Sequence, residues 1–121
     1  MNMPRPLEHP IQRRILADLG SRHDVRLFRN NVGAAVAKGR FIRYGLHPGS
    51  SDLIGFKSVK VTQNMVGKTI AVFLSIETKR PGKLPEAHQW KWLNFVNQAG
   101  GIAGWADSVE RAREVVDGNS L

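Results

Sequence analysis

Apolar positions along the chain fall into a few periodic runs. Ile11, Ile15, Leu16 and Leu19 recur at i, i+4, i+5 and i+8, which predicts a helix over 10–19 with one apolar stripe. Pro10 suits its first turn and Gly20 its stop, and 1–7 reads as a proline-containing lead-in. Residues 25–30 alternate apolar and basic side chains and predict a short strand, followed by a turn at Asn30-Asn31-Val32-Gly33. The basic stretch 34–44 fits neither period cleanly, and 46–51 reads as a loop. Two β-rich runs, 52–62 and 68–79, predict strands joined by a hairpin loop at 63–67. Pro81-Gly82 breaks the second strand. A helix over 85–99 follows, with Trp90, Leu93 and Val96 on one side and Trp92 and Phe95 beside them. Gly100-Gly101 ends it, and 102–106 reads as a strand. Asp107 and Glu110 have capping-box spacing and start a last helix carrying Val109, Ala112, Val115 and Val116. The tail over 118–121 reads as loose.

The element order is helix, three strands, helix, strand, helix. The three middle strands suit an antiparallel meander, and the fourth returns through a helix as in a right-handed crossover. The expectation is an α/β fold: a mixed four-stranded sheet flanked by helices, in one domain over 1–121.

Composition narrows the function classes. The 121 residues hold 18 Lys plus Arg against 10 Asp plus Glu, a net charge of +8, and no cysteine. Disulfides, thiolate metal sites and cysteine nucleophiles are thereby excluded. A hydrophobic fraction of 41% separates the chain from disordered, highly charged sequences. No apolar run approaches the roughly 20 residues that span a bilayer, and the first 19 residues lack a signal-peptide core. A soluble protein of the reducing cell interior, cytoplasmic and without a membrane partner, is the expectation. The excess positive charge, spread along the chain rather than gathered on one amphipathic helix, points to nucleic acid as the partner.

Chemistry concentrates in the middle of the chain. On a strand over 68–79, Ile70, Val72, Leu74 and Ile76 share one face, a predicted core face. Glu77 and Lys79 share the other. If 52–62 and 68–79 form a hairpin with Thr62 near Thr69, opposing residue numbers sum to about 131. Asp52 then lies opposite Lys79 and diagonal to Glu77. Two converging carboxylates need a cation or a proton between them. Hard oxygen ligands without cysteine favour Mg²⁺ or Mn²⁺. With a lysine beside them, they suit metal-assisted phosphodiester hydrolysis. Glu-x-Lys on an exposed strand is common and often just an ion pair worth under about 1 kcal/mol, and it is Asp52 at the right register that lifts the reading toward a site.

Gly49-Ser50-Ser51-Asp52-Leu53-Ile54 followed by Ile76-Glu77-Thr78-Lys79 resembles the PD-(D/E)XK nuclease superfamily, and more narrowly its VRR-NUC (virus-type replication-repair nuclease) domain. Glu8 with Ile11-Gln12, Arg29-Asn30-Asn31-Val32-Gly33, Gly82-Lys83-Leu84, Gln89, Gly100-Gly101 and 108–112 extend the resemblance over most of the chain. Ser51 stands where the superfamily's name has proline, and Pro10 follows close on Glu8. The resemblance implies a restriction-endonuclease-like αβββαβ core. It implies Mg²⁺ or Mn²⁺ held by Asp52, Glu77 and the Thr78 carbonyl, with Glu8 as the acid of the first helix. Lys79 is then the catalytic lysine, and Gln89 an accessory polar group facing the site. The implied activity is a structure-specific DNA endonuclease acting on branched DNA such as Holliday junctions or flaps, bacterial or phage-encoded, homodimeric and engaged in DNA repair. The alternative is a non-catalytic nucleic-acid-binding module or an accessory subunit of a repair complex.

Trp90, Trp92 and Trp105 read as core rather than as base-stacking platforms. His9, His23, His47 and His88 lack zinc-ligand spacing. Arg40, Arg43, Lys57, Lys60, Arg80 and Lys83 are candidate phosphate contacts.

Overall fold

Helix α1 (Pro4–Gly20) starts ahead of the predicted 10–19. The structure is a computed structural model describing residues 4–118, with side chains described from Pro10 onward. Pro4 and Pro6 occupy the first turn, where a fixed φ is favourable and the missing N–H has no helical partner. Pro10 consequently lies inside the helix rather than at its start. The C-terminus is closed by Ser21 Oγ donating to the Asp18 carbonyl at 2.7 Å and by Arg22 N–H donating to the Leu19 carbonyl.

The chain divides into two compact units, Met1–Lys57 and Ser58–Leu121. The first contains α1 and four strands: β1 (Val25–Arg29), β2 (Gly33–Ala37), β3 (Arg40–Tyr44) and β4 (Leu53–Lys57). β1 pairs antiparallel with β4, from Val25↔Lys57 to Arg29↔Leu53. The stretch that fitted neither period, 34–44, is an antiparallel hairpin running from Gly33↔Tyr44 to Ala37↔Arg40. Its two-residue turn, Lys38-Gly39, has φ of 52° and 73°, the positive pair that a type I′ hairpin turn needs.

Two predicted strands are shorter than their patterns. The run 52–62 is a strand only over Leu53–Lys57, and 68–79 only over Leu74–Thr78. Residues 63–65 form a 3₁₀ turn and 58–62 and 68–73 lie outside any strand, so the expected pairing of Thr62 near Thr69 does not form. One cause is visible at Ser58, whose hydroxyl donates to the Ala99 carbonyl at 2.6 Å. That bond takes the chain to a helix terminus, where carbonyls lack helical partners.

The second unit holds β5 (Leu74–Thr78), α2 (Ala87–Gln98), β6 (Ile102–Ala106) and α3 (Val109–Asp117). β5 and β6 are parallel, Leu74↔Ile102 to Thr78↔Ala106, with α2 in the crossover as predicted. A Schellman motif stops α2: Gly101 N–H reaches the Val96 carbonyl, Gly100 N–H the Asn97 carbonyl, and Gly100 has φ 102°. Asn97 then docks its side-chain amide on the backbone of Ala103, donating to its carbonyl and accepting from its N–H at 3.0 and 2.9 Å.

The helices take opposite faces of the β5–β6 pair. Ser75 and Glu77 bond to side chains of α2, whereas Gly104, partner of Ile76, faces Val115 of α3. A Cβ at Gly104 would stand 2.7 Å from Val115 Cγ2, so glycine sets that helix-to-sheet approach. Leu93, Val96 and Ala103 form the core, with Phe73, Trp92, Phe95 and Trp105 packed against it. Two of the three tryptophans thus read as core correctly. Trp90, at 40% exposure, does not. The predicted aliphatic core face also fails in part, since Ile70 and Leu74 are exposed. The better buried face is the one under α2. Ser108, not Asp107, caps α3, accepting from Arg111 N–H at 3.1 Å, while Asp107 binds the Arg111 side chain. Among the described residues no helix is long and apolar enough to cross a membrane.

Candidate functional site

In the second unit, β5 delivers Glu77 to the sheet face covered by α2. The ladder continues one residue past the strand, because Lys79 N–H donates to the Ala106 carbonyl at 2.9 Å. Strand alternation therefore still holds at Lys79 and puts its side chain on Glu77's face. Lys79 Nζ lies 3.8 Å from Glu77 Oε2, an ion pair whose side chains are 17% and 32% exposed.

Gln89 supplies the second contact. Its Nε2 donates to Glu77 Oε2 at 3.1 Å, and its Oε1 accepts from the Glu86 N–H at 2.8 Å. The latter bond is half of a capping box that starts α2, so the amide orienting Glu77 is itself fixed by the helix terminus. Three residues further, Trp92 Nε1 donates to Ser75 Oγ at 2.9 Å. The two rungs, Glu77–Gln89 and Ser75–Trp92, run backward along the helix as the strand advances. Residues three apart on a helix and two apart on a strand share a face, which makes this two-point docking possible. Gln89 and Glu77, which the sequence named as site residues, are thus brought together with Lys79.

Thr78 is placed differently. The bonds Ile102 N–H to Phe73 O and Lys79 N–H to Ala106 O show that the odd-numbered residues of β5 face β6. In a parallel ladder the alternate residues turn their N–H and C=O to the other edge. The Thr78 carbonyl therefore points away from β6, as an oxygen ligand of the kind the resemblance implies must.

Asp52 belongs to the first unit, where it is an exposed residue directly before β4. Its carbonyl accepts from Asn30 N–H at 2.8 Å, one rung beyond the Arg29↔Leu53 pair. The loop before it is a tight turn: Ser50 N–H donates to the His47 carbonyl, with Pro48 in the second position and Gly49 at φ 88° in the third. Asn30 clamps both ends of that loop. Its Nδ2 donates to Ser50 Oγ at 2.7 Å and to the Ser51 carbonyl at 2.9 Å, while its Oδ1 accepts from Leu46 N–H at 3.1 Å. The sequence pattern puts Asn30 at the start of a turn and assigns it no part in the site. The available signal was an asparagine ending a strand, where its amide can bond neighbouring backbone. Glu8 lies within α1, and its side chain is outside the described residues.

Among the described residues no three His, Asp or Glu side chains gather into a cage. A Mg²⁺-type ion needs less, being commonly held by one or two carboxylates and several waters. Within the second unit, the Glu77 carboxylate and the Thr78 carbonyl are hard oxygen donors of that kind. Compared with known proteins, the chain matches no family model, no curated protein and no solved structure.

Proposed function

We propose that the chain is a divalent-metal-dependent endodeoxyribonuclease of the PD-(D/E)XK type, similar to VRR-NUC domains, hydrolysing phosphodiester bonds of branched DNA in the cell interior. The observation that carries this reading is the Glu77–Lys79–Gln89 cluster: a carboxylate oriented by a helix-anchored amide and set beside an ammonium. The basic chain, with its charge of +8, suits a polyanionic substrate. The reading includes a four-stranded restriction-endonuclease-like core and a homodimer.

Glu77, Asp52 and the Thr78 carbonyl are the residues assigned to hold Mg²⁺ or Mn²⁺. When bound, such an ion polarises a phosphoryl oxygen and lowers the pKa of a bound water. Lys79 Nζ donates to the attacking water or to the developing phosphoryl charge. Gln89 is a positioning residue that keeps Glu77 from rotating away. Asp52 is the second carboxylate ligand.

The test is incubation of labelled four-way junction, flap and duplex DNA with Mg²⁺ or Mn²⁺. Cutting is expected, and Lys79→Ala reduces it by roughly 10²-fold or more while leaving DNA binding in EDTA unchanged. Binding without cleavage in either metal overturns the enzymatic reading and favours a non-catalytic module in which Glu77 and Lys79 form only an ion pair. Light scattering of the protein with and without DNA tests the dimer.

A further inference from the structure

The stretch 25–51 contains Arg26, Arg29, Lys38, Arg40 and Arg43 and no Asp or Glu. Within it, β2 and β3 form a two-stranded sheet of their own. A lone two-stranded ribbon is marginal in water, so its sequence is informative about what it meets. β2 consists only of small residues and one valine, Gly33-Ala34-Ala35-Val36-Ala37. The side chains of β3 therefore stand up over a low neighbour on both faces. Register puts Arg40, Ile42 and Tyr44 on one face and Phe41 and Arg43 on the other. All five are exposed, Phe41 at 66%. Arg43 lies over the Phe41 ring at 5.5 Å, so the cation is held beside its own strand. At the tip stands Lys38.

Resting on the proposed function above, we infer that the β2–β3 hairpin is the substrate-gripping element of this protein and enters the major groove of duplex DNA tip first. A major groove about 12 Å wide admits a two-stranded ribbon. Its two walls are phosphate backbones, and the hairpin presents an arginine on each face and a lysine at its end. The arrangement is wrong for a membrane wedge, which needs apolar side chains at the tip and cations behind them. Here the tip is Lys38-Gly39 and the arginines alternate with the apolar residues. The hairpin's root is tied to the candidate chemistry: Gly45 packs against the Asn31 carbonyl at the other end of the ribbon's base, and Asn30 bonds both Leu46 N–H and the Asp52 carbonyl. DNA held by the ribbon is thereby held next to Asp52.

The variant Lys38→Asn/Arg40→Gln/Arg43→Gln removes the charge and keeps the hairpin, since Asn-Gly is a favoured type I′ turn. Fluorescence anisotropy with a labelled duplex in EDTA, over a salt series, is the measurement. The full-length variant is expected to bind at least about tenfold more weakly, with a salt slope shallower by about 3, close to 0.9 per lost phosphate contact. Circular dichroism checks that the fold is retained. An unchanged slope and affinity overturn the inference while junction cleavage by the wild-type chain leaves the nuclease reading intact. Weakened binding in a protein that never cuts DNA upholds the inference and removes the nuclease reading. A variant that loses affinity for vesicles of equal phosphatidylcholine and phosphatidylserine, but not for duplex DNA, also overturns it.

Discussion

The two units are built on different physical principles. The buried residues Leu93, Val96, Ala103 and Ala106 all lie in the second unit. There, parallel strands are covered on both faces by helices, the arrangement that parallel sheets require. The first unit has only antiparallel ladders and, among the described residues, half-buried rather than buried apolar side chains, with directed polar bonds added at its loop. Asn30 alone makes three side-chain bonds across the loop 46–51. Hydrophobic burial is strong and non-directional, whereas hydrogen bonds are weak in net free energy and directional. The second unit is thus suited to hold Glu77, Lys79 and Gln89 rigidly. The first adds directed bonds at the loop before Asp52.

The sharpest way to break this contrast is in the core. Leu93, 2% exposed, carries the packing of α2. Leu93→Ala is expected to lower unfolding free energy by about 3 kcal/mol, read from urea unfolding followed by tryptophan fluorescence. A loss below about 1 kcal/mol would mean that burial does not dominate this unit.

A smaller effect is expected from Asn30→Ala, about 1 kcal/mol, because its bonds are exposed or half-buried. Its signature is local: amide exchange at Leu46 accelerates, while amides of α2 keep their protection. Asn30→Asp retains the acceptor for Leu46 N–H and loses the donors to Ser50 and Ser51. It should therefore protect Leu46 but not the turn before Asp52. Equal loosening of both units would erase the distinction.

The smallest effect concerns Asp24. Arg22 donates to both of its carboxylate oxygens, at 3.0 and 2.7 Å, and holds that carboxyl below its ordinary value of 3.8. A depressed folded value gives stability that is present above the ordinary value and lost as pH falls through the folded one. Asp24→Asn should consequently destabilise the chain slightly at neutral pH and not at all at the acid end, as thermal melts across pH would show. Destabilisation that grows on acidification would contradict the assignment.

The sequence made the second unit legible. Gly100-Gly101 after a helical period, the β-rich run before it and the short strand after it specify a strand–helix–strand crossover, because each signal is local and the parts are consecutive. Glu77 and Lys79 were legible as same-face neighbours for the same reason. The first unit resisted reading where its pattern is not amphipathic. Residues 34–44 form a ribbon with both faces exposed, so no apolar alternation marks it. The pattern over 52–62 runs past its strand because alternation continues beyond Lys57, whereas Ser58 bonds the end of α2 instead.

By itself the sequence determined the charge, the absence of cysteine chemistry, the mixed α/β class and the Glu77-x-Lys79 spacing, since composition and strand period depend on nothing distant. Only the tertiary structure decided that β4 pairs with β1, that Gln89 orients Glu77 and that Asn30 clamps the loop before Asp52. Those contacts join residues 12 to 32 positions apart, and hydrogen-bond direction, which no local pattern encodes, selects them.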